Sequence, residues 1–228
     1  MRGIKQNINS TIYKKQSKAE DIYEFIYDQI LEGRWKPGDR INDQELADEI
    51  QVSRISVREA LFKLLATGII EKIQWKGYFL KRVDEHVIED IVEIRIALET
   101  LALNNMLDEP DPTVFDEMKE TIDASELHLK NNELAMYLKR DFYFHELLYS
   151  RQKNTYISTT LTNYLILIHF IRVICMGTED NFIKTAQDSI KDHRLILKHL
   201  MKNNREKALE TLKNHLRTHE KKSKQELR

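Results

Sequence analysis

The sequence predicts a mainly α-helical protein in two parts. Three helices and a β-hairpin fill residues 18–82, and an all-helical bundle of about six helices fills residues 83–228. Three observations carry this reading. Apolar residues recur at helical spacing along most of the chain. Only three prolines and six glycines interrupt 228 residues. Strand-like stretches bounded by turn residues occur in one place, residues 69–80.

The elements follow in order. Residues 1–17 are polar and lysine-bearing, and read as a flexible arm. Ile22, Phe25, Ile26, Ile30 and Leu31 trace one face of a helix over 19–32, which Gly33 ends. After the turn Trp35-Lys36-Pro37-Gly38-Asp39, Asn42 or Asp43 can cap a second helix with Leu46, Ala47 and Ile50 facing inward. Ser53 can cap a third helix running to about Thr67, with Val57, Leu61, Leu64 and Leu65 on its inner side. Ile69–Ile73 and Tyr78–Leu80, joined by Gln74-Trp75-Lys76-Gly77, resemble a hairpin. Helices are then expected over 84–107, 113–131, 133–151, 154–176, 179–202 and 205–221. Their breaks fall at residues 109–112, Gly177 and Asn203-Asn204.

Bulk composition narrows the classes. Hydrophobic residues at 41% and charged residues at 32% fit a soluble globular chain rather than a disordered or membrane one. One cysteine, Cys175, rules out an internal disulfide framework and fits a reducing cytosol. Met1–Tyr13 lacks the apolar core of a signal peptide. The most apolar run, Tyr164–Met176, is broken by His169 and Arg172 and is too short to span a bilayer, so it reads as a buried helix. Residues 1–82 carry 15 basic and 12 acidic side chains, and residues 83–228 carry 21 and 25. The first part can therefore face a polyanion, although a bias this small matters less than position.

Position points to DNA. In Glu45–Leu61, Ala47 is small where two helices must cross, a short turn follows, and polar residues open the next helix, as a helix-turn-helix requires. Arg54 and Arg58 stand four residues apart on that helix, so both can meet one groove and fork onto guanine edges or phosphates. Ser53 can offer a hydroxyl and backbone N–H to a phosphate. The plain alternative is a solvated helix face with ordinary arginines; the hairpin following at once weakens it. Here the chain resembles the GntR family. Val52-Ser53-Arg54-Ile55-Ser56-Val57-Arg58-Glu59-Ala60-Leu61 matches that family's recognition-helix stretch, with Ser56 where proline or threonine is usual. Lys36-Pro37-Gly38-Asp39-Arg40-Ile41 resembles its Pro-Gly turn, and Lys76-Gly77-Tyr78-Phe79 its wing tip. The resemblance implies a winged helix-turn-helix in which Arg54 and Arg58 contact the operator, with Ser53, Gln44, Arg40, Lys76 and Gly77 as further DNA contacts. Gln44 stands where some relatives have arginine, so operator sequence does not transfer.

The second part holds all eight histidines. Asp141 and His145, at i and i+4, share a helix face and can chelate one ion. His193 lies on the inner stripe Ala186, Ile190, His193, Leu197, Leu200, and His215 sits between Leu212 and Leu216. Spacing allows Asp141, His145, His193 and His215 to meet at one interior point. It equally allows four separate side chains, each satisfied locally, and His219 can replace His215. His86, His128, His169 and His199 have no comparable partners.

Residues 83–228 are similar to the FCD ligand-binding domain of the FadR subfamily of GntR regulators. Its marks are Glu93–Glu99, Asp141–His145 followed by Asn154, Asp192-His193, and Ala208 leading to His215-Leu216. The resemblance implies that the Asp-His-His-His set holds a divalent metal, zinc first, then nickel, manganese or iron. It also implies a small carboxylate bound beside the metal with help from an arginine. Arg95 matches that arginine, although an ion pair with Glu99 is as good a role for it. The expectation is a cytoplasmic homodimeric regulator, with operator DNA and a carboxylate effector as partners and no membrane. A helical metalloenzyme is the main rival, but no HExxH, phosphate loop or nucleophile elbow accompanies the cluster. A purely architectural DNA-binding dimer and a metal-free acyl-coenzyme A sensor are weaker rivals.

Overall fold

The computed structural model describes residues 18–175 and 177–227; the expected N-terminal arm lies outside them. The chain separates into two units. One takes in the described residues up to Ala66 together with Ile70–Leu80, and the other takes in Thr67–Ile69 and the chain from Lys81 onward.

In the first unit the order is α1 (Lys18–Leu31), β1 (Arg40–Ile41), α2 (Asp43–Glu49), α3 (Arg54–Thr67), β2 (Ile70–Ile73) and β3 (Gly77–Leu80). Ile22, Ile26 and Ile30 of α1, Leu46 and Ala47 of α2, and Val57, Ala60, Leu61 and Leu64 of α3 are buried. Burial of this apolar set is the main driving force for the three helices, at roughly 25 cal/mol per Å². The sheet is antiparallel in the order β1-β3-β2, with Ile70 opposite Leu80 and Ile41 opposite Tyr78. Two residues are too few to show alternation, which is why β1 has no signature in the sequence. Of the two candidate caps for α2, Asn42 is the one used: its side chain accepts from the N–H groups of Gln44 and Glu45. That leaves the carboxylate of Asp43 free for another role. Gly77 opens β3 at φ 102°, a left-handed conformation glycine tolerates, and the Arg40 guanidinium lies 3.5 Å from where a β-carbon would stand.

The second unit consists of α4 (Glu85–Asp108), α5 (Pro112–Lys130), α6 (Leu134–Tyr149), α7 (Thr155–Ile174), α8 (Glu179–Met201) and α9 (Arg205–Glu226). Asp84, Asp111, Asn154, Thr178 and Asn204 each cap a helix by accepting a backbone N–H. Asp111 is followed by Pro112, whose missing N–H costs nothing in a first turn. Helix α4 packs on α9, α6 and α7, while α8 packs on α9 and α5. These contacts turn the inner faces of α4, α6, α8 and α9 toward one another.

The apolar run that begins at Tyr164 lies, up to Ile174, in the helix expected over 154–176, and that helix runs for 20 residues. By length and composition alone α7 is long and apolar enough to cross a membrane. The reason is that Thr155–Asn163, a more polar flank, continues the same helix. Within the bundle Ile157, Leu161, Leu167, Ile168, Phe170 and Ile171 are buried, while Tyr164, Leu165, Ile166 and Val173 are only partly covered.

Candidate functional site

Each helix around the bundle interior contributes residues four apart, hence on one stripe. Helix α6 places Tyr137, Asp141 and His145 there, α8 places Ser189 and His193, α9 places His215 and His219, and α4 places Arg95 and Glu99. All nine are buried. From α7, Arg172 joins them with its side chain 10% exposed.

The histidines of three helices meet. His145 Nε2 lies 3.3 Å from His193 Nε2 and 3.3 Å from His215 Nε2. One nitrogen from each of the three falls within 4.8 Å of the others. The opposite ring nitrogens explain the orientation. His145 Nδ1 donates to Glu99 Oε2 at 2.8 Å, and His215 Nδ1 donates to Asp192 Oδ2 at 3.2 Å. A neutral imidazole carries one proton, so a carboxylate holding it at Nδ1 leaves Nε2 as a bare lone pair. The ring of His193 stacks on Phe144, with centroids 3.9 Å apart, which fixes its plane. The interior therefore presents nitrogen lone pairs to one point.

Asp141 stands beside this group. Its Oδ1 accepts from Tyr137 (3.0 Å) and Ser189 (2.7 Å) and lies 4.0 Å from His193 Nδ1. Its Oδ2 is buried with no hydrogen-bond partner among the described residues, 3.4 Å from Arg172 Nη2. His219, one turn beyond His215, faces elsewhere: its Nδ1 accepts from Arg172 Nη1 at 3.1 Å. Arg95 donates to Glu99 Oε1 at 2.6 Å, so the ion pair weighed from the sequence forms, and it forms inside the bundle.

Charge in this interior is set by these pairs. Burial would raise the Glu99 carboxyl, but Arg95 and His145 outweigh it and hold the pKa at about 2. Burial likewise opposes ionisation of Asp141, and Arg172 with His193 and His145 carries it well below the usual carboxylate range. Burial pushes His193 down, aided by His215, and pushes His219 down, aided by Arg172. His215 is lowered by burial although its bond to Asp192 pulls the other way.

A cleft of about 260 Å³ opens beside the cluster, lined among others by Arg172, Cys175, Lys184, His219 and Lys222. A smaller cavity shares Arg172 and His219 with it and reaches Arg95. A larger cleft of about 330 Å³ lies elsewhere in this unit, where Arg151 binds Asp111 and Lys153 binds Glu109. Its charges are already paired and no ligand set converges there.

In the first unit the two arginines expected to meet DNA are paired with an acid. Arg54 donates through Nε and Nη2 to the two oxygens of Asp43, each at 3.0 Å, and Arg58 Nε lies 3.7 Å from Asp43 Oδ2. Both side chains remain about half exposed at 53%. Ser53 Oγ accepts from the Ser56 N–H at 3.1 Å, so its hydroxyl serves as the α3 cap. Gln44 donates to Asp48 at 2.9 Å on the exposed face of α2. Lys76 and Gly77 lie in the hairpin turn, next to Trp75, which is 95% exposed at φ 65°.

Of the four expected ligand residues the structure brings His145, His193 and His215 together and leaves Asp141 beside them, and sequence reasoning does not foresee what surrounds them. In the sequence Glu99 and Asp192 stand out only as neighbours of Arg95 and His193, and Arg172 only as a break in an apolar run. That break is itself a signal, since an arginine amid Leu165–Ile174 must find a buried acid.

The comparisons with known proteins agree with both units. Residues 90–218 match the FCD domain, and residues 18–80 match the bacterial regulatory proteins of the gntR family. The chain belongs to the GntR family. It pairs that family's DNA-binding unit with an FCD domain, a combination consistent with the FadR subfamily. The HTH-type transcriptional regulator YdhC of Bacillus subtilis is 29% identical over 199 residues, covering 85% of this chain and 87% of YdhC. E. coli McbR/YncC superposes with a TM-score of 0.78 at 17% identity, covering 93% of this chain and all of that one. The metal-free FCD domain of the regulator TM0439 superposes with a TM-score of 0.53 at 20% identity, covering 64% of this chain and 97% of that one. The GntR member described here is thus a transcriptional regulator and not an enzyme, and regulators of its family bind DNA.

The lowered histidines set a pH dependence for metal-stripped protein. His193, His215 and His219 are held neutral when folded, whereas unfolded imidazole titrates near 6.5. The unfolded chain therefore binds more protons below that pH, and stability falls as pH drops through it. Glu99 adds a second loss below about 4.5, its ordinary value, as pH falls toward about 2. The melting temperature of chelator-treated protein should decline steadily from about pH 7 to pH 5. A flat profile over that interval would show that the cluster takes up protons freely when folded.

Proposed function

We propose that this GntR regulator binds operator DNA as a cytoplasmic homodimer, and that its DNA affinity is set by a small carboxylate bound beside a divalent metal in the helical unit. The observation that carries the reading is the convergence of His145, His193 and His215, with the Nδ1 protons of His145 and His215 held by Glu99 and Asp192. Ligating histidines characteristically give their second N–H to a carboxylate in this way. The residues also pass a test of fit. The Nε2 lone pairs of His145 and His215 face one another and repel unless a proton or cation lies between them, and burial of His215 disfavours an added proton. His145, His193 and His215 would hold the ion, with the orphaned Asp141 Oδ2 the nearby anionic donor. Imidazole with carboxylate suits zinc first, then nickel, manganese or iron. When bound, the metal supplies a Lewis-acidic positive charge toward which a carboxylate oxygen is drawn.

Charge balance supports an anionic effector. Arg95 and Arg172 offset Glu99 and Asp141, with the histidines neutral, so a divalent ion leaves the buried site positive even after Asp192, on His215, takes up one charge. Such a site favours anions and disfavours neutral ligands. Arg95 then acts mainly through Glu99, which it holds ionised next to His145. Dimerisation is supported by α7, whose partly covered Tyr164, Leu165, Ile166 and Val173 offer an apolar surface to a second copy. No membrane partner is proposed.

For DNA, Arg54 and Arg58 are the proposed base- or phosphate-reading residues, held in place by Asp43, while Arg40, Gln44, Lys76, Gly77 and the Ser53 backbone serve as flanking contacts. Arg54→Ala and Arg58→Ala should each cost about 1–3 kcal/mol in specific binding, measured by anisotropy at fixed salt. Asp43→Asn should narrow the gap between operator and random DNA, because it frees the arginines and removes a charge that repels phosphates. Unchanged discrimination in Asp43→Asn together with unchanged affinity in the arginine variants would overturn the DNA assignment.

For the metal, zinc should raise the melting temperature and a chelator should reverse the gain. His193→Ala should abolish this response and His199→Ala should preserve it. Glu99→Gln should weaken zinc about 10–100-fold by loosening His145. A zinc response that survives His193→Ala would place the metal elsewhere.

A further inference from the structure

Arg172 has a bonding pattern unlike that of the other buried charges. Its Nη1 donates to His219. Its Nη2 is buried, lies 3.4 Å from Asp141 Oδ2, and has no hydrogen-bond partner among the described residues, nor does that oxygen. An unfilled guanidinium donor in a nearly dry interior is costly, and beside its ion pair with Asp141 this one can take a further oxyanion. Arg95, in contrast, is engaged by Glu99, whose other oxygen is taken by His145.

Arg172 is also the residue that joins the cluster to the outside. It lines both the 260 Å³ cleft and the inner cavity that reaches Arg95. Of the acids on the cleft walls, Asp188 is neutralised by Lys222 (3.2 Å) and Lys191 (3.3 Å), while Glu226 accepts only from the neutral Asn181 amide (3.2 Å) and keeps its charge. Lys184, exposed in the same cleft, has no acidic partner within ion-pair distance among the described residues. The cleft thus offers one open cationic donor at its inner end and one unpaired ammonium toward solvent.

We propose that Arg172 rather than Arg95 anchors the effector, and that the cleft formed by α7, α8 and α9 selects a short dicarboxylate, one carboxylate on Arg172 and the other on Lys184. This rests on the carboxylate-sensor reading and sharpens it to a ligand class and a specificity residue. The volume agrees: it lies below the roughly 300 Å³ at which pockets for drug-sized ligands begin. A four- or five-carbon diacid fits that space.

The test is calorimetry on the full-length, zinc-loaded protein with succinate and acetate as probes, with zinc content counted for every variant. Arg172→Lys and Arg172→Gln should each weaken succinate about ten- to a hundredfold with zinc content unchanged. Arg95→Lys, which keeps the charge that holds Glu99 ionised, should weaken succinate only as far as it lowers zinc content. Lys184→Glu, an exposed change that spares the interior, should weaken succinate and leave acetate as it was. Should Arg172→Gln lose its fold, Arg172→Lys and Lys184→Glu decide the matter. Wild-type succinate affinity in Arg172→Lys, or equal loss of both acids in Lys184→Glu, overturns the assignment while the sensor reading stands. Failure of wild-type protein to bind either acid overturns the sensor reading, and this assignment with it.

Discussion

The second unit depends on the bonds that fix which nitrogen of each buried imidazole carries the proton. Glu99 holds the Nδ1 proton of His145, and Asp192 holds that of His215. Without those carboxylates each ring could exchange tautomers and present a proton to the interior instead of a lone pair. With them, His145 and His215 turn bare Nε2 lone pairs toward the interior. The cost of burying Glu99 is offset in turn by Arg95, one turn earlier on α4. Arrangement at the centre therefore rests on a chain of contacts reaching outward through α4 and α8, and the loss of any link leaves a buried charge unpaired.

The same device appears in miniature in the first unit. Asp43 accepts from Arg54 and approaches Arg58, so two long, flexible side chains are held near one position before any partner arrives. Immobilising arginines in advance lowers the entropy lost on binding, which favours specificity over bare attraction. Capping chemistry makes this possible: because Asn42 takes the cap of α2, Asp43 can turn its carboxylate toward α3. Preorganisation by an adjacent acid is thus common to both units, with arginine held in one and imidazole in the other.

Much of this was legible in the sequence because it is local. Helical periodicity, Gly33 as a stop, and the break at residues 109–112 are read within a few residues, and the observed helices follow them closely. The i, i+4 pair Asp141–His145 and the inner stripe through His193 are local too. What escaped is non-local. Nothing near Glu99 indicates that His145, 46 positions away, uses its second oxygen, and nothing near His219 indicates that Arg172 takes its Nδ1. The choice between His215 and His219 likewise depends on the rotation of α9 against α6 and α8, which one helix's pattern leaves open. In the first unit, β1 escaped because a two-residue strand exists only through pairing with β3.

The central claim is that three imidazoles hold one metal ion through Nε2. Zinc K-edge X-ray absorption on the full-length protein, loaded with one equivalent of zinc, tests it most directly. The account predicts a nitrogen- and oxygen-only inner shell with multiple scattering from three imidazole rings, and no sulfur contribution from Cys175. A spectrum fitted by one imidazole or none, or by a sulfur ligand, would contradict it.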